Sequence, residues 1–445
     1  MFNMGSQIRA GTAGLMHLNM TPPIEAPATF GEVIRGNRNF RLLWAATVVS
    51  LLGDWFNTIT LYALVTELTG SPLAVGLVQF LKLGGFAAAS IPGGILADRL
   101  DRRRLMITTD LLRAAIVPCY LFIDSAEQVP FLYVLIVLQI GLGAVFDPCY
   151  RSMLPSIVSP RELVTANALL SASWSTILAI GASLGGLFGV WLGSDAVFVI
   201  DSFTYLVSAS CLVAMRVALR PAREVLPVAG GRPRLRSTAL LVMAYADLRE
   251  GLRFLFSHRE VLRLSLAKTA WALGGSALVY LLTQLGPMLT PGNAALGIGI
   301  LYSARGLGTG IGPLLARRIR DRRVWMLVTG GTIAASGVFY MVVGAMSVTF
   351  WVCVPIFIAH AASGANWVLS TVLLQERVPD HVRGRVFAAE LMVLTSIEAV
   401  IVLVAASLLE AGALGLTAAF FVFASIQIAS GLGYLRWTRS DLSGR

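Results

Sequence analysis

The sequence predicts an all-α membrane protein whose 12 transmembrane helices form two six-helix pseudo-symmetric bundles. Three observations carry that reading. The 445 residues are 56% hydrophobic and only 13% charged, with a mean hydropathy of +0.75. Soluble domains carry about 25% charged residues, so a soluble core this apolar would have no surface to show to water. The apolar residues fall into twelve stretches of about 20, the length that crosses about 30 Å of hydrocarbon at about 1.5 Å per residue. Basic residues then gather in alternate connections between those stretches.

Taken in order, the expected spans are 41–66, 73–97, 105–123, 131–150, 166–192, 196–216, 262–289, 294–316, 324–345, 350–374, 387–409 and 414–436. The connections near 67–72, 124–130, 193–195, 290–293, 346–349 and 410–413 contain no Lys or Arg. The others hold Arg99 to Arg104, Arg151, Arg161, the stretch from Arg216 to Arg263, Arg317 to Arg323, and Arg377 to Arg385. Cytoplasmic connections accumulate basic residues, so this asymmetry predicts a multi-pass membrane protein with both termini and the basic connections in the cytoplasm. The net charge of +11 is thereby accounted for as topology, and a nucleic-acid role is set aside.

The chain divides at 217–237, where Arg220-Pro221 and Gly230-Gly231-Arg232-Pro233 make a polar linker. The expected organisation is a disordered cytoplasmic tail over 1–38, an N-terminal bundle over 39–216, a cytoplasmic linker over 217–260, a C-terminal bundle over 261–437 and a tail over 438–445. The first 35 residues lack the apolar core of a signal peptide. Within the linker, Leu241, Leu248, Leu252 and Leu255 recur at helical spacing among Asp247, Arg249, Glu250 and Arg253. That pattern predicts an amphipathic helix on the inner membrane surface. The Gly-led basic loop at 94–104 repeats at 312–323, and Pro155 to Arg161 repeats at Pro379 to Arg385, which supports a six-plus-six division.

Several functional classes have no support. Neither lysine lies in a G-x-x-x-x-G-K-[ST] loop, so ATP hydrolysis is not indicated. His17, His258, His360 and His381 are scattered, and Cys119, Cys149, Cys211 and Cys353 sit in or beside apolar spans, so no metal site is indicated. No enzyme, cofactor or disulfide framework is expected.

The most specific segment is Gly93-Gly94-Ile95-Leu96-Ala97-Asp98-Arg99-Leu100-Asp101-Arg102-Arg103-Arg104, with six charged residues in its last seven positions. It resembles the G-x-L-A-D-R-x-G-R-[KR] loop between helices two and three of the major facilitator superfamily. Gly53-Asp54-Trp55, Asp110 with Arg113, Asp147-Pro148, Ala166-Asn167-Ala168, Asp201-Ser202-Phe203 and Arg383-Gly384-Arg385-Val386 resemble a bacterial branch of it. That branch contains enterobactin exporters, macrolide efflux proteins and lysophospholipid transporters.

The resemblance implies a secondary transporter working by alternating access without an enzymatic step. The function expected is proton-coupled export of an amphipathic drug, macrolide or siderophore, with the proton gradient as energy source. A lysophospholipid translocator is the alternative, and a non-transporting membrane receptor is a third reading. The expected partners are the substrate, protons and membrane lipids, and the expected state is a monomer. The resemblance also makes Gly94, Asp98, Arg99, Arg102 and Arg103 a cytoplasmic gate, with Asp98 facing the helix start near Phe387 and Arg102 pairing with acidic inner-face residues. Gly181, Gly185, Gly186 and Gly189 resemble the G-x-x-x-G-P-x-x-G-G motif of drug/proton antiporters. Gly181, Gly185 and Gly189 are four apart, a spacing for which close helix packing is the alternative reading.

An ionisable group near the bilayer centre costs about 2.5–3.5 kcal/mol on insertion scales, so each one needs a partner, a cavity or a function. Asp54, beside Asn57, is read either as a proton carrier or cation anchor, or as half of a structural hydrogen bond. Lys82 lies at similar depth and is read either as the partner of Asp54 or as a side chain that snorkels or caps a carbonyl, the latter being the expectation for Lys268. Glu398 and Arg305 are the C-terminal counterparts. Glu390 is expected to pair with inner loops, and Asp110 with Arg113 to form a structural network. Gln139, Trp174, Trp271, Gln284, Asn366 and Trp367 complete the candidate site, since aromatic walls with a few polar groups suit a bulky amphipathic molecule.

Overall fold

The computed structural model describes residues 28–216, 237–319 and 321–443. The linker core at 217–236 and residues 1–27 lie outside the described residues, as do the side chains of Asp98 and Leu241. Among the described residues every regular element is helical.

Local sequence sets the helix ends. Asn37 caps α2 (Arg38–Thr69) by accepting from the Phe40 N–H, and Gly70 ends it in the left-handed conformation at φ 60°. Ser71 caps α3 (Pro72–Arg99), and Asp101 caps α4 (Arg102–Ile116), which continues as a 3₁₀ turn over Val117–Phe122. Each short polar side chain satisfies a backbone donor that the first helical turn leaves open. After α5 (Val129–Ile157), α6 (Pro160–Ala214) opens on a capping box between Ser159 and Glu162. Its 55 residues hold two spans, divided at Gly193, whose φ of 81° only glycine adopts readily.

The second bundle comprises α8 (Arg259–Leu289), α9 (Ala294–Ala316), α10 (Arg322–Ala345), α11 (Cys353–Arg377), α12 (Asp380–Glu410) and α13 (Leu416–Ser443). Among the described residues, ten helices are long and apolar enough to cross a membrane. Counting α6 as two and adding the 23-residue α9, which packs within the bundle, accounts for the twelve expected.

Two further helices revise the sequence reading. The segment expected to be a disordered tail contains α1 (Phe30–Gly36), whose Thr29–Glu32 capping box is complete and whose Val33 is fully buried. Backbone and side-chain hydrogen bonds from Thr29 hold the Glu32 carboxyl below its ordinary range. The linker helix α7 (Ser237–Ser257) packs on the C-terminal bundle along its second half. Leu248, Leu252 and Leu255 join Val261, Leu264, Leu373, Val382 and Val386 in one cluster. Arg385 on α12 pairs with Asp247 at 3.0 Å and Glu250 at 2.7 Å on α7. Buried apolar area and two ion pairs therefore choose the C-terminal bundle as the surface that α7 covers.

The halves meet along α6 with α9, α3 with α12 and α2 with α9. At the end away from the basic connections the seam is shut. Tyr280 Oη donates to the Pro72 carbonyl at 2.7 Å, and Glu410 accepts from Ser71 Oγ at 2.7 Å and from the Leu73 N–H at 3.1 Å. At the basic end a cavity of about 700 Å³ separates Leu163, Val164 and Asn167 of α6 from Val372, Gln375 and Glu376 of α11, with Arg383 at its edge.

Candidate functional site

Polar residues spaced along single helix faces build a buried network in the first bundle. On α2, Asp54, Asn57 and Thr58 fall within about one turn. On α6, Asp201, Tyr205 and Ser208 are spaced by four and three, so they share a face. Gly53 permits the approach of these two faces, since a Cβ there would fall on the Asp201 and Thr204 side chains.

Tyr205 Oη donates to Asp54 Oδ1. The phenol in turn accepts from Gln139 Nε2 at 3.0 Å, and Gln139 Oε1 accepts from Tyr120 Oη at 2.6 Å. Arg113 lies beneath this relay, with its guanidinium 4.3 Å from the Tyr205 ring centroid. It pairs with Asp110 at 2.5 Å and reaches Asp54 at 3.9 Å, while Ser208 Oγ donates to Asp110 at 2.6 Å. Asn57 Nδ2 donates to Asp201 at 2.6 Å. The side chains of Asp110 and Arg113 are 0% and 4% exposed, whereas that of Asp54 is 36% exposed. Asp54 is therefore the carboxylate of this network that can meet a solute or a proton.

Lys82 does not pair directly with Asp54 as expected. Its Nζ donates to Thr58 Oγ1 at 2.5 Å, and Thr58 Oγ1 donates to the main-chain carbonyl of Asp54 at 2.6 Å, whereas the Asp54 carboxylate is held by Tyr205 and Arg113. Lys268 neither snorkels nor caps a carbonyl. It pairs with Glu390 at 3.0 Å, both side chains being about 5% exposed or less, and its Nζ lies 4.9 Å from the Trp367 ring centroid. Glu390 thus turns inward to Lys268 rather than to the basic connections.

Around the seam, Tyr302 on α9 meets Trp55 and Tyr62 of α2, with ring centroids 6.3 Å and 6.2 Å apart. The Arg305 guanidinium sits 5.3 Å from the Tyr302 ring centroid, and Glu398 is within its Coulombic reach. Trp271 Nε1 donates to Ser363 Oγ at 2.8 Å, and Gln284 Nε2 to Thr283 Oγ1 at 3.2 Å. Asn366 is buried with its Oδ1 unpartnered, whereas Trp174 and Trp367 are exposed by 46% and 43%.

The four motif glycines on α6 face two neighbours. A Cβ on Gly181 or Gly185 would come within 2.9 Å of Trp55 or Phe56 on α2. One on Gly186 would lie 2.7 Å from the Ala295 carbonyl oxygen, and one on Gly189 3.1 Å from Ala295 Cβ, both on α9 of the other half.

At the basic end, Arg102 donates to the carbonyls of Ala97 at 3.2 Å and Ser152 at 3.0 Å. Arg103 donates to Leu212 at 2.7 Å and Val213 at 2.5 Å, tying α4 to the end of α6. Arg99 is exposed, and the space around Gly94 is open. Gly93 is the glycine of this loop that close packing requires, because a Cβ there would strike the Ala144 carbonyl on α5.

Two six-helix bundles closed at one end over a buried ionisable network define a multi-pass transporter. The sequence profile of the Major Facilitator Superfamily matches residues 43–397, and the chain belongs to that superfamily of transporters. Among curated relatives, the MFS-type transporter YfiS of Bacillus subtilis is 26% identical over 80% of this chain and 83% of its own. Macrolide efflux protein A of Streptococcus pyogenes is 24% identical over 78% of this chain and 84% of its own. The putative bacilysin exporter BacE of Bacillus subtilis is 22% identical over 66% and 70%. Among solved structures, a POT family transporter in complex with 5-aminolevulinic acid superposes with a TM-score of 0.71 at 11% identity, covering 93% of this chain and 98% of that one. An inward-facing bacterial homologue of the lysosomal transporter Spinster gives 0.63 at 17% identity, covering 90% and 95%.

Proposed function

We propose that the chain is a proton-coupled exporter that carries an amphipathic small molecule out of a bacterial cell by alternating access. It works as a monomer in the inner membrane with both termini in the cytoplasm. The observation that carries the reading is the partly exposed Asp54, hydrogen-bonded through Tyr205 to Gln139 and linked through Arg113 to Asp110. A carboxylate so placed takes up a proton or a cationic group with an electrostatic cost that Arg113 and Lys82 adjust. Because Tyr205 and Asp201 belong to α6 while Asp54 belongs to α2, a change at Asp54 acts on how these helices pack. The efflux-type relatives support reading the direction as export, and the clustering of basic connections supports reading the end where the cavity opens as the cytoplasmic face.

Reconstitution into liposomes tests this. An imposed pH gradient drives a dye or macrolide across the membrane in the wild type, and Asp54→Asn abolishes that movement while leaving the thermal unfolding profile in place. Proton-driven transport undiminished in Asp54→Asn removes Asp54 from the mechanism. Movement of a labelled lysophospholipid in place of dye or macrolide makes the protein a lipid translocator.

A further inference from the structure

The intramembrane cations differ in what they already hold. Arg113 has Asp110 at 2.5 Å and Asp54 at 3.9 Å, Lys268 has Glu390 at 3.0 Å, and Lys82 has the Thr58 hydroxyl at 2.5 Å. Arg305, in the middle of α9, has none of these: no hydrogen-bond acceptor and no carboxylate within ion-pair distance among the described residues. Its Nε is buried without a partner. Its recorded contact is the face of Tyr302, which steadies the guanidinium plane but leaves the in-plane N–H groups free. His360 is within its Coulombic reach, yet the His360 Nε2 is taken by Tyr340 Oη at 2.7 Å. Glu398 lies on α12 within Coulombic reach but outside ion-pair distance.

A guanidinium in a membrane interior is always charged, and its planar donors match a carboxylate or similar oxyanion two at a time. An uncompensated one is costly unless a ligand completes it. The Tyr302 ring that Arg305 contacts also meets Trp55 and Tyr62 of the other half, so the guanidinium lies close to where the two bundles meet.

We propose that Arg305 is an anion-binding anchor in the seam between the bundles, and that the transported molecule carries a carboxylate or equivalent oxyanion beside an aromatic or aliphatic body. The assignment rests on the exporter reading above and narrows its substrate class. Tyr302 holds the guanidinium in place, and Glu398 sets the resting field that the incoming anion must oppose.

Binding and pH-driven movement of three probes with one common fluorophore test it in liposomes: dansyl-leucine (anionic), its amide with the same body (neutral) and dansylcadaverine (cationic). Wild type favours dansyl-leucine over the amide. Arg305→Gln weakens dansyl-leucine by about tenfold or more, as expected for loss of a charge-assisted hydrogen bond, and leaves the amide unchanged, which also certifies the fold of the variant. Arg305→Lys retains part of the preference. Equal affinity of wild type for acid and amide, or equal weakening of both by Arg305→Gln, overturns the anion assignment. Uptake of the amide or dansylcadaverine but not of dansyl-leucine defeats this assignment while leaving the exporter reading intact. Failure of all three probes to bind or move counts against both.

Discussion

Gly186→Ala is expected to shift the protein away from the state seen here, in which the seam is shut at the end opposite the basic connections. The new Cβ would lie 2.7 Å from the Ala295 carbonyl oxygen, 3.2 Å from Gly299 Cα and 3.3 Å from Leu296 Cα. All three atoms are backbone, so no side chain can rotate aside and α6 must separate from α9. Overpacking of this kind costs about 1–3 kcal/mol. The two helices belong to different bundles, so the cost falls on the shut arrangement and is relieved when that end opens. A bias of about 1–3 kcal/mol moves the ratio of the two states by about 5- to 150-fold. Spin labels at Ala126 and Ser347, near that end of each bundle, report the change as distance distributions in a background without the four native cysteines. Gly310→Ala is the control. It lies on the same helix pair, where its Cβ meets Ser175 Cβ at an ordinary 3.7 Å. Identical distributions for wild type and Gly186→Ala, or an equal shift from Gly310→Ala, refute the reasoning.

Two other perturbations test the electrostatics. Lys268→Met strands Glu390 in a buried site and is expected to cost about 3–5 kcal/mol, read as a lowered midpoint of thermal unfolding, whereas Lys268→Met with Glu390→Leu recovers most of the loss; a double variant no more stable than the single one contradicts this. The lowered Glu32 pKa makes its capping contribution complete above the ordinary carboxylate range of about 4.3, and the contribution is lost as pH falls through the lower folded-state value. Protease cleavage around residues 28–37 should therefore rise on acidification in wild type and be high and flat with pH in Glu32→Ala, which lacks the acceptor, and a flat wild-type profile argues against the capping account.

The spans were legible because hydrocarbon imposes one length and one composition on every segment that crosses it. The expected 294–316 coincides with α9, and the expected 73–97 lies within α3. Basic connections fall at one end of the bundle because they occupy alternate connections between successive antiparallel spans. Asp54 was singled out because a charge in an apolar run needs an explanation. Its true neighbours were harder to see. Arg113 and Asp110 were legible as a pair one turn apart, but not as a bridge to Asp54. Tyr205 was missed, although the spacing of Asp201, Tyr205 and Ser208 marks one polar face on an otherwise apolar helix, a signal that was present in the chain.

What the sequence determined by itself was whatever depends on neighbours along the chain: span lengths, caps, the break at Gly193, the amphipathic pattern of α7 and the membership of a transporter family. The tertiary structure decided which charges meet. Lys82 and Asp54 lie at similar depth, yet Lys82 bonds the Thr58 hydroxyl and the Asp54 carboxylate bonds Tyr205, while Lys268 finds Glu390, 122 residues away in sequence. It also decided that α7 covers the C-terminal bundle and that Gly186 touches the opposite half. The physical reason is that hydrophobic burial in lipid depends mainly on local composition, whereas hydrogen bonds and ion pairs act over a few ångströms and depend on helix rotation, which only packing fixes.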